Sequence, residues 1–118
     1  MPVSSIAVVG SRTVDCLQEI ERILAKVLEQ NGPFRLVSGG ADGVDSIAAD
    51  WARRNRLEVT VYEADWENGG PQAGMKRNGL IVNDADILLA FWDGVSGGTL
   101  DSIKKARSQK KGVRVYLC

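Results

Sequence analysis

Four short stretches hold the residues of this 118-residue chain that could do chemistry: Gly10-Ser11-Arg12, Ser38-Gly39-Gly40-Ala41-Asp42-Gly43-Val44-Asp45, Arg77-Asn78 and Ser96-Gly97-Gly98-Thr99. Glycine is used where the backbone must take a positive φ, or where another group must approach it closely. A helix opening just beyond such a turn offers N–H groups without intrahelical partners and a positive dipole potential, which together suit an anion such as phosphate. A plain strand-to-helix turn uses the same residue types, so one stretch alone would decide nothing. Three of them in one chain, with an arginine–asparagine pair besides, point to a ligand.

The residues that are missing narrow the chemistry further. There is no histidine, which removes Ser-His and Cys-His catalysis and the commonest zinc ligand. No metal site is expected, and acid–base work falls to carboxylates, lysine, tyrosine or water. Two nucleotide fingerprints also fail. Ser38-Gly39-Gly40-Ala41-Asp42-Gly43 puts a serine and adjacent glycines where G-x-G-x-x-G needs spaced ones, and G-x-x-x-x-G-K-[ST] does not occur. A nicotinamide dehydrogenase or an ATPase is therefore disfavoured, and no cofactor is implied.

Composition sets the outer limits. With 44% hydrophobic and 25% charged residues the chain reads as an ordinary globular protein, and its length suits one domain over residues 1–118. Fifteen basic residues balance fifteen acidic ones, so there is no global electrostatic reason to bind nucleic acid or an anionic membrane. No apolar run is long enough to span a bilayer. Met1-Pro2-Val3-Ser4-Ser5 lacks a basic leader region, so the expected location is cytoplasmic. In a reducing compartment Cys16 and Cys118 read as free thiols.

The elements that must position these stretches follow from periodicity. Ser5 to Val9 is β-branched and apolar without alternation, the mark of a strand buried on both faces. A helix is expected from about Val14 to Gln30, with Leu17, Ile20, Leu24, Val27 and Leu28 on one face, stopped by Asn31-Gly32-Pro33. Phe34 to Ser38 is the second strand, followed by a helix to about Asn55. Leu57 to Tyr62 is the third, followed by a loop over residues 63–70 and a helix from Pro71 to about Asn83. Asp86 to Trp92 is the fourth, followed by a helix from about Thr99 to Gln109, and Val113 to Cys118 is the last. Alternating strands and helices with short loops predict an α/β fold: a Rossmann-like doubly wound parallel sheet of about five strands with helices on both faces. In such sheets ligands sit beyond the carboxyl ends of the strands. The turns after strands one, two and four would gather there.

The four stretches, in this order, resemble the SLOG superfamily, which joins the DNA-processing protein Smf/DprA to the LOG (lysine-decarboxylase-like) phosphoribohydrolases. Within it the chain looks most like the small single-domain YspA-like branch of bacteria and phages. The resemblance covers essentially the whole chain. It implies a nucleotide or nucleotide derivative bound at the carboxyl edge of the sheet, in the manner of a sensor. It would be held by Gly10, Ser11 and Arg12 from the first turn and by Ser38, Gly39, Gly40, Gly43 and Asp45 from the second. Arg77 and Asn78 would reach it from the third helix, and Ser96, Gly97, Gly98 and Thr99 would cradle phosphate. Two further activities come with the resemblance: phosphoribohydrolase (N-glycosidase) action on a nucleoside monophosphate, and single-stranded DNA binding as in Smf/DprA. It also brings a homodimer paired through helices.

The hydrolases read P-G-G-x-G-T-x-x-E. Aligned on Gly98-Thr99, this chain has Gly94-Val95-Ser96-Gly97-Gly98-Thr99-Leu100-Asp101-Ser102, with Ser102 in place of the glutamate. Asp101 stands one position early, about 100° round a helix. A cation-like sugar transition state would call on a carboxylate. Asp101, with Arg77, is the catalytic pair if the chain hydrolyses its ligand, and Asp45 and Asp93 are the other carboxylates at strand ends. Trp51 reads as core. Trp66 and Trp92, both at strand ends, are the candidates for stacking on a base. The basic run Lys104, Lys105, Arg107, Lys110 and Lys111 reads as a solvated helix end.

Overall fold

A computed structural model describes residues 3–11 and 16–118 of the chain. At its centre is β1 (Ser5–Gly10), whose Ile6, Ala7 and Val8 are fully buried. β2 (Arg35–Ser38) and β4 (Ile87–Trp92) flank it, and β3 (Val59–Val61) and β5 (Gly112–Leu117) form the edges. All neighbours are parallel, in the order β3-β2-β1-β4-β5. The helices are α1 (Leu17–Asn31), α2 (Val44–Arg54), α3 (Trp66–Gly69), α4 (Ala73–Asp84) and α5 (Gly97–Ser108).

Successive residues of β1 face opposite sides, so two cores form. Ile6 and Val8 join Ile20, Leu24, Val44, Ala48 and Phe91 under α1 and α2. Ala7 and Val9 join Ile81, Val82, Leu88 and Ile103 under α4 and α5. Trp51 belongs to the first core, 5% exposed and stacked on Phe34 at 6.3 Å. The sheet is thus covered on both faces, as the continuous apolar runs of β1 and β4 require.

Three boundaries differ from the expected ones. The loop over residues 63–70 contains α3, because the Asp65 side chain accepts a hydrogen bond from the Asn68 N–H at 3.2 Å and caps a short turn. Pro71 lies in a 3₁₀ turn (Gly70–Gln72) ahead of α4, and Gly70, at φ 60°, separates the two helices. β3 shortens to three residues at the sheet edge. The helix start expected at Val14 falls outside the described residues.

The cysteines are not free thiols. Cys16 and Cys118 form a disulfide across 102 residues of sequence, with Cα atoms 5.4 Å apart. The expectation rested on compartment, whereas the pairing follows from proximity: Cys16 precedes α1, and Cys118, just past β5, donates its N–H to the Trp92 carbonyl at 2.9 Å. The basic run is also less solvated than expected. Lys105 pairs with Asp101, and the Lys111 ammonium donates to the carbonyls of Val82, Asn83 and Ala85 at 2.6, 3.1 and 2.6 Å, closing the end of α4. No helix among the described residues is long and apolar enough to cross a membrane.

Candidate functional site

Strand order reverses between β1 and β4, because the chain leaves β1 towards β2 on one side and later returns to β4 on the other. The turns after these two strands diverge at their carboxyl ends and leave a crevice. They are stitched together at its base. The Ser11 N–H donates to the Phe91 carbonyl at 3.1 Å, and the Asp93 N–H donates to Ser11 Oγ at 3.3 Å. Gly10 ends β1 because nothing larger fits. A Cβ there would stand 2.5 Å from Val44 Cγ2 and 2.8 Å from the Phe91 carbonyl oxygen. The first residue of α2 can therefore press against the end of β1.

The fourth turn is organised by Asp93. Its Oδ1 accepts hydrogen bonds from the N–H groups of Val95 (2.9 Å) and Ser96 (2.7 Å), an Asx turn that aims the start of α5. These backbone donors hold the Asp93 carboxyl below the usual carboxylate range. The first helical bond runs from Leu100 N–H to the Ser96 carbonyl at 3.2 Å. The N–H groups of Gly97, Gly98 and Thr99 precede it and have no acceptor within the helix. Neither glycine has a neighbour within 4 Å of where a Cβ would stand, and both line the crevice.

The second turn is held from across the crevice. Gly43, at φ 81°, precedes α2, and the Ala41 N–H donates to the Asp45 carboxylate at 3.2 Å. The Arg77 guanidinium, from α4, donates to the Gly39 carbonyl at 2.7 Å through Nη1 and to Asn78 Oδ1 at 3.1 Å through Nε. A Cβ on Gly39 would meet Arg77 Nη1 at 2.8 Å and Asp45 Oδ2 at 3.0 Å, so the guanidinium and the buried carboxylate converge over that glycine. Asn78 continues the chain of contacts. Its amide nitrogen donates to the Gly98 carbonyl (3.2 Å) and to Asp101 Oδ2 (3.1 Å), and Asp101 receives Lys105 Nζ at 2.5 Å.

These contacts bound a cleft of about 710 Å³, within the usual range for small-molecule sites. Of the residues singled out in the sequence, Gly10, Ser11, Asp45, Trp66, Arg77, Asn78, Asp93, Ser96, Gly97, Gly98, Thr99, Asp101 and Ser102 line it. Ser38, Gly39, Gly40 and Gly43 do not. Ser38 is fully buried, with its Oγ accepting from the Gly40 N–H at 3.3 Å, and this group shapes the turn that carries Asp45. Arg12 lies outside the described residues. Ser102, aligned with the hydrolases' glutamate, is 1% exposed and donates to the Gly98 carbonyl at 3.4 Å.

Sequence reasoning overlooked Asp93 as the residue that builds the fourth turn, although Asp-x-Val-Ser at a strand end is an Asx-turn signature. It also overlooked the wall contributed by Pro71, Gly74 and Met75, for which the sequence carries no signal beyond proximity to Trp66. Among the described residues no group of three or more histidine, cysteine or acidic side chains is placed to hold a metal ion.

With a Rossmann-like sheet and a glycine-lined crevice at its switch point established, comparison with known proteins defines the class. The chain belongs to the YspA, cpYpsA-related SLOG family (YAcAr), whose model matches residues 4–69, more than half of it. It is 38% identical over 118 residues to the Gene 61 protein of Mycobacterium phage D29, covering 93% of this chain and 92% of that one. DNA processing protein A (DprA) from Streptococcus pneumoniae has a similar fold, with a TM-score of 0.78 at 18% identity over 95% of this chain. DprA from Helicobacter pylori gives a TM-score of 0.74 at 20% identity, again over 95% of this chain. The chain spans 50% and 64% of those two DprA chains, and at these identities the likeness is one of fold.

Proposed function

We propose that this protein binds a nucleotide or nucleotide derivative of low charge, of the size of a nucleoside monophosphate, in the cleft between the β1 and β4 turns. The observation that carries this reading is convergence. The turn after β1 and three helices, separate in sequence, bring Ser11, Asp45, Arg77, Gly97 and Gly98 onto one cavity of about 710 Å³. The start of α5 offers the donors and the dipole for a phosphate. The charges around it argue for a single phosphate. Among the described lining residues Arg77 stands with Asp45, Asp93 and Asp101, and the partner of Asp101, Lys105, is already engaged. Among these described residues a triphosphate would meet one cation, Arg77, to offset its charge.

Binding rather than hydrolysis is the activity proposed. The hydrolases' glutamate position holds a buried serine, and Asp101 is committed to Asn78 and Lys105. The Helicobacter pylori DprA binds single-stranded DNA, but this chain has a formal charge of zero, which gives it little of the electrostatic attraction such binding draws on.

The test is a thermal-shift panel of nucleosides, nucleoside mono- and triphosphates and short oligodeoxynucleotides. A ligand at a hundredfold its Kd stabilises the native state by about 2.7 kcal/mol, an easily read rise in Tm. Monophosphates are expected to raise it, and Arg77→Ala to weaken their binding about tenfold or more through loss of a charged donor. A panel without a shift overturns the reading. A shift with oligodeoxynucleotides alone, steeply lost as salt rises, replaces it with DNA binding, and release of free base from a monophosphate replaces it with hydrolysis.

A further inference from the structure

Of the two tryptophans expected at strand ends, Trp92 closes β4 whereas Trp66 opens α3, and their surroundings separate them. Trp92 is committed: its indole Nε1–H donates to the Ser96 carbonyl at 3.0 Å, and its ring packs against the core under α4 and α5. Trp66 is 56% exposed on the wall of the cleft. An indole is costly to leave in water, and an exposed one lining a cavity asks for a covering group.

The ring is held in position. The six-membered part of the Trp66 indole lies over Gly74 of α4, with Cη2 3.1 Å, Cζ2 3.7 Å and Cζ3 3.9 Å from where a Cβ would stand. Any side chain at residue 74 would displace it. Glycine inside a helix is unfavourable relative to alanine, and the contact with the indole accounts for its presence here. Asp65 caps the short helix that begins with Trp66 and so holds its backbone. The wall continues through Pro71 and Met75, the latter 55% exposed. Neither offers a strong side-chain hydrogen-bonding group. This part of the lining is therefore apolar, and the helix-start donors of Gly97, Gly98 and Thr99 line the same cleft.

We infer that Trp66 is the stacking platform for the aromatic base of the ligand, whose phosphate end points to the start of α5. Recognition is by the face of the base and not by its edge. The site thus takes purine and pyrimidine monophosphates alike and discriminates against the same sugar phosphate without a base. This inference rests on the proposed nucleotide-binding reading and adds which residue holds which end.

Isothermal titration of the intact protein with AMP, UMP and ribose 5-phosphate tests it, using wild type, Trp66→Leu and Trp66→Phe, each checked for an unchanged circular dichroism spectrum. Stacking on an aromatic side chain is worth roughly tenfold or more in affinity. AMP and UMP are expected to bind wild type within about tenfold of each other, and ribose 5-phosphate at least about tenfold more weakly. Trp66→Leu should remove that advantage without changing ribose 5-phosphate binding, and Trp66→Phe should restore most of it. Gly74→Ala, which tilts the ring without removing it, should weaken AMP and spare ribose 5-phosphate. Equal binding of AMP and ribose 5-phosphate, or AMP binding unaltered by Trp66→Leu, overturns the platform while leaving anion binding at α5 intact. A difference of more than about a hundredfold between AMP and UMP overturns recognition by the face. Binding of none of the three overturns both this inference and the reading it rests on.

Discussion

Gly10 joins the fold to the site. Its missing side chain is the space into which Val44 and the Phe91 carbonyl press, at 2.5 and 2.8 Å from the absent Cβ. One of those neighbours is backbone of β4, paired on both sides within the sheet, and cannot easily give way. Gly10→Ala is therefore expected to destabilise the protein by about 1–3 kcal/mol through overpacking, read as a lower urea midpoint. A variant as stable as wild type would show that α2 can retreat from β1. The need for glycine at a strand end was legible in the sequence, whereas Arg77 and Asn78 stood out only through the family resemblance. The sequence did not say which members of the glycine-rich stretch face the cleft and which only shape it. Ser38 through Gly43 read as one motif, yet only Ala41 of that run lines the cavity. The distinction depends on a backbone path set by Gly40 and Gly43 at positive φ.

At the scale of elements, α4 is the piece that must be held still, because it presents both Arg77 and the glycine under Trp66. Its far end is tied down by Asp84, which no sequence pattern announced. Asp84 accepts from Arg35 of β2 through both oxygens, at 2.7 and 2.8 Å, and from the Tyr62 hydroxyl at 2.8 Å. The residues come from α4, β2 and the loop after β3, so only the folded chain brings them together. The Arg35 guanidinium holds the Asp84 carboxyl below its ordinary range. A depressed folded-state pKa means that this stabilisation is complete above the unfolded carboxylate value, about 3.9, and is lost as pH falls through the lower folded value. The Tm of wild type should thus fall below about pH 4, and Asp84→Asn should flatten part of that fall. The remainder is shared by Asp65, Asp86 and Asp93, whose carboxyls are also lowered, Asp65 by Asn68 and the other two by backbone donors. A variant with the same acid profile as wild type would remove Asp84 from this account. Strand and helix order were readable because each element carries its own period. The short helix before α4 was not, since a single capped turn has no periodicity to detect.

At the scale of the whole molecule, the sheet places its central strand and its crevice where alternating strands and helices require. The disulfide adds a tie that local reasoning misread. Cys16 and Cys118 are 102 residues apart, so closing that loop removes much of the freedom of the unfolded chain. Reduction, or Cys118→Ser, is expected to cost about 2–4 kcal/mol, seen as a lower Tm in reductant for wild type and no further loss for the variant. Identical melting with and without reductant would contradict the pairing. The tie joins the start of α1 to the end of β5, across the sheet's carboxyl edge from α4 and Trp66, so it steadies the fold beside the cleft without lining it.

The central claim is that the ligand lies across the turns after β1 and β4. Mapping amide shifts in a ¹⁵N-labelled protein titrated with AMP tests it most directly. The account predicts that the largest movements fall on Ser11, Gly97, Gly98 and Thr99 and on the Trp66 indole N–H, while the amides of α1 and β5 stay in place. Saturating AMP that moves none of these, or moves only residues of α1 and β5, would contradict it.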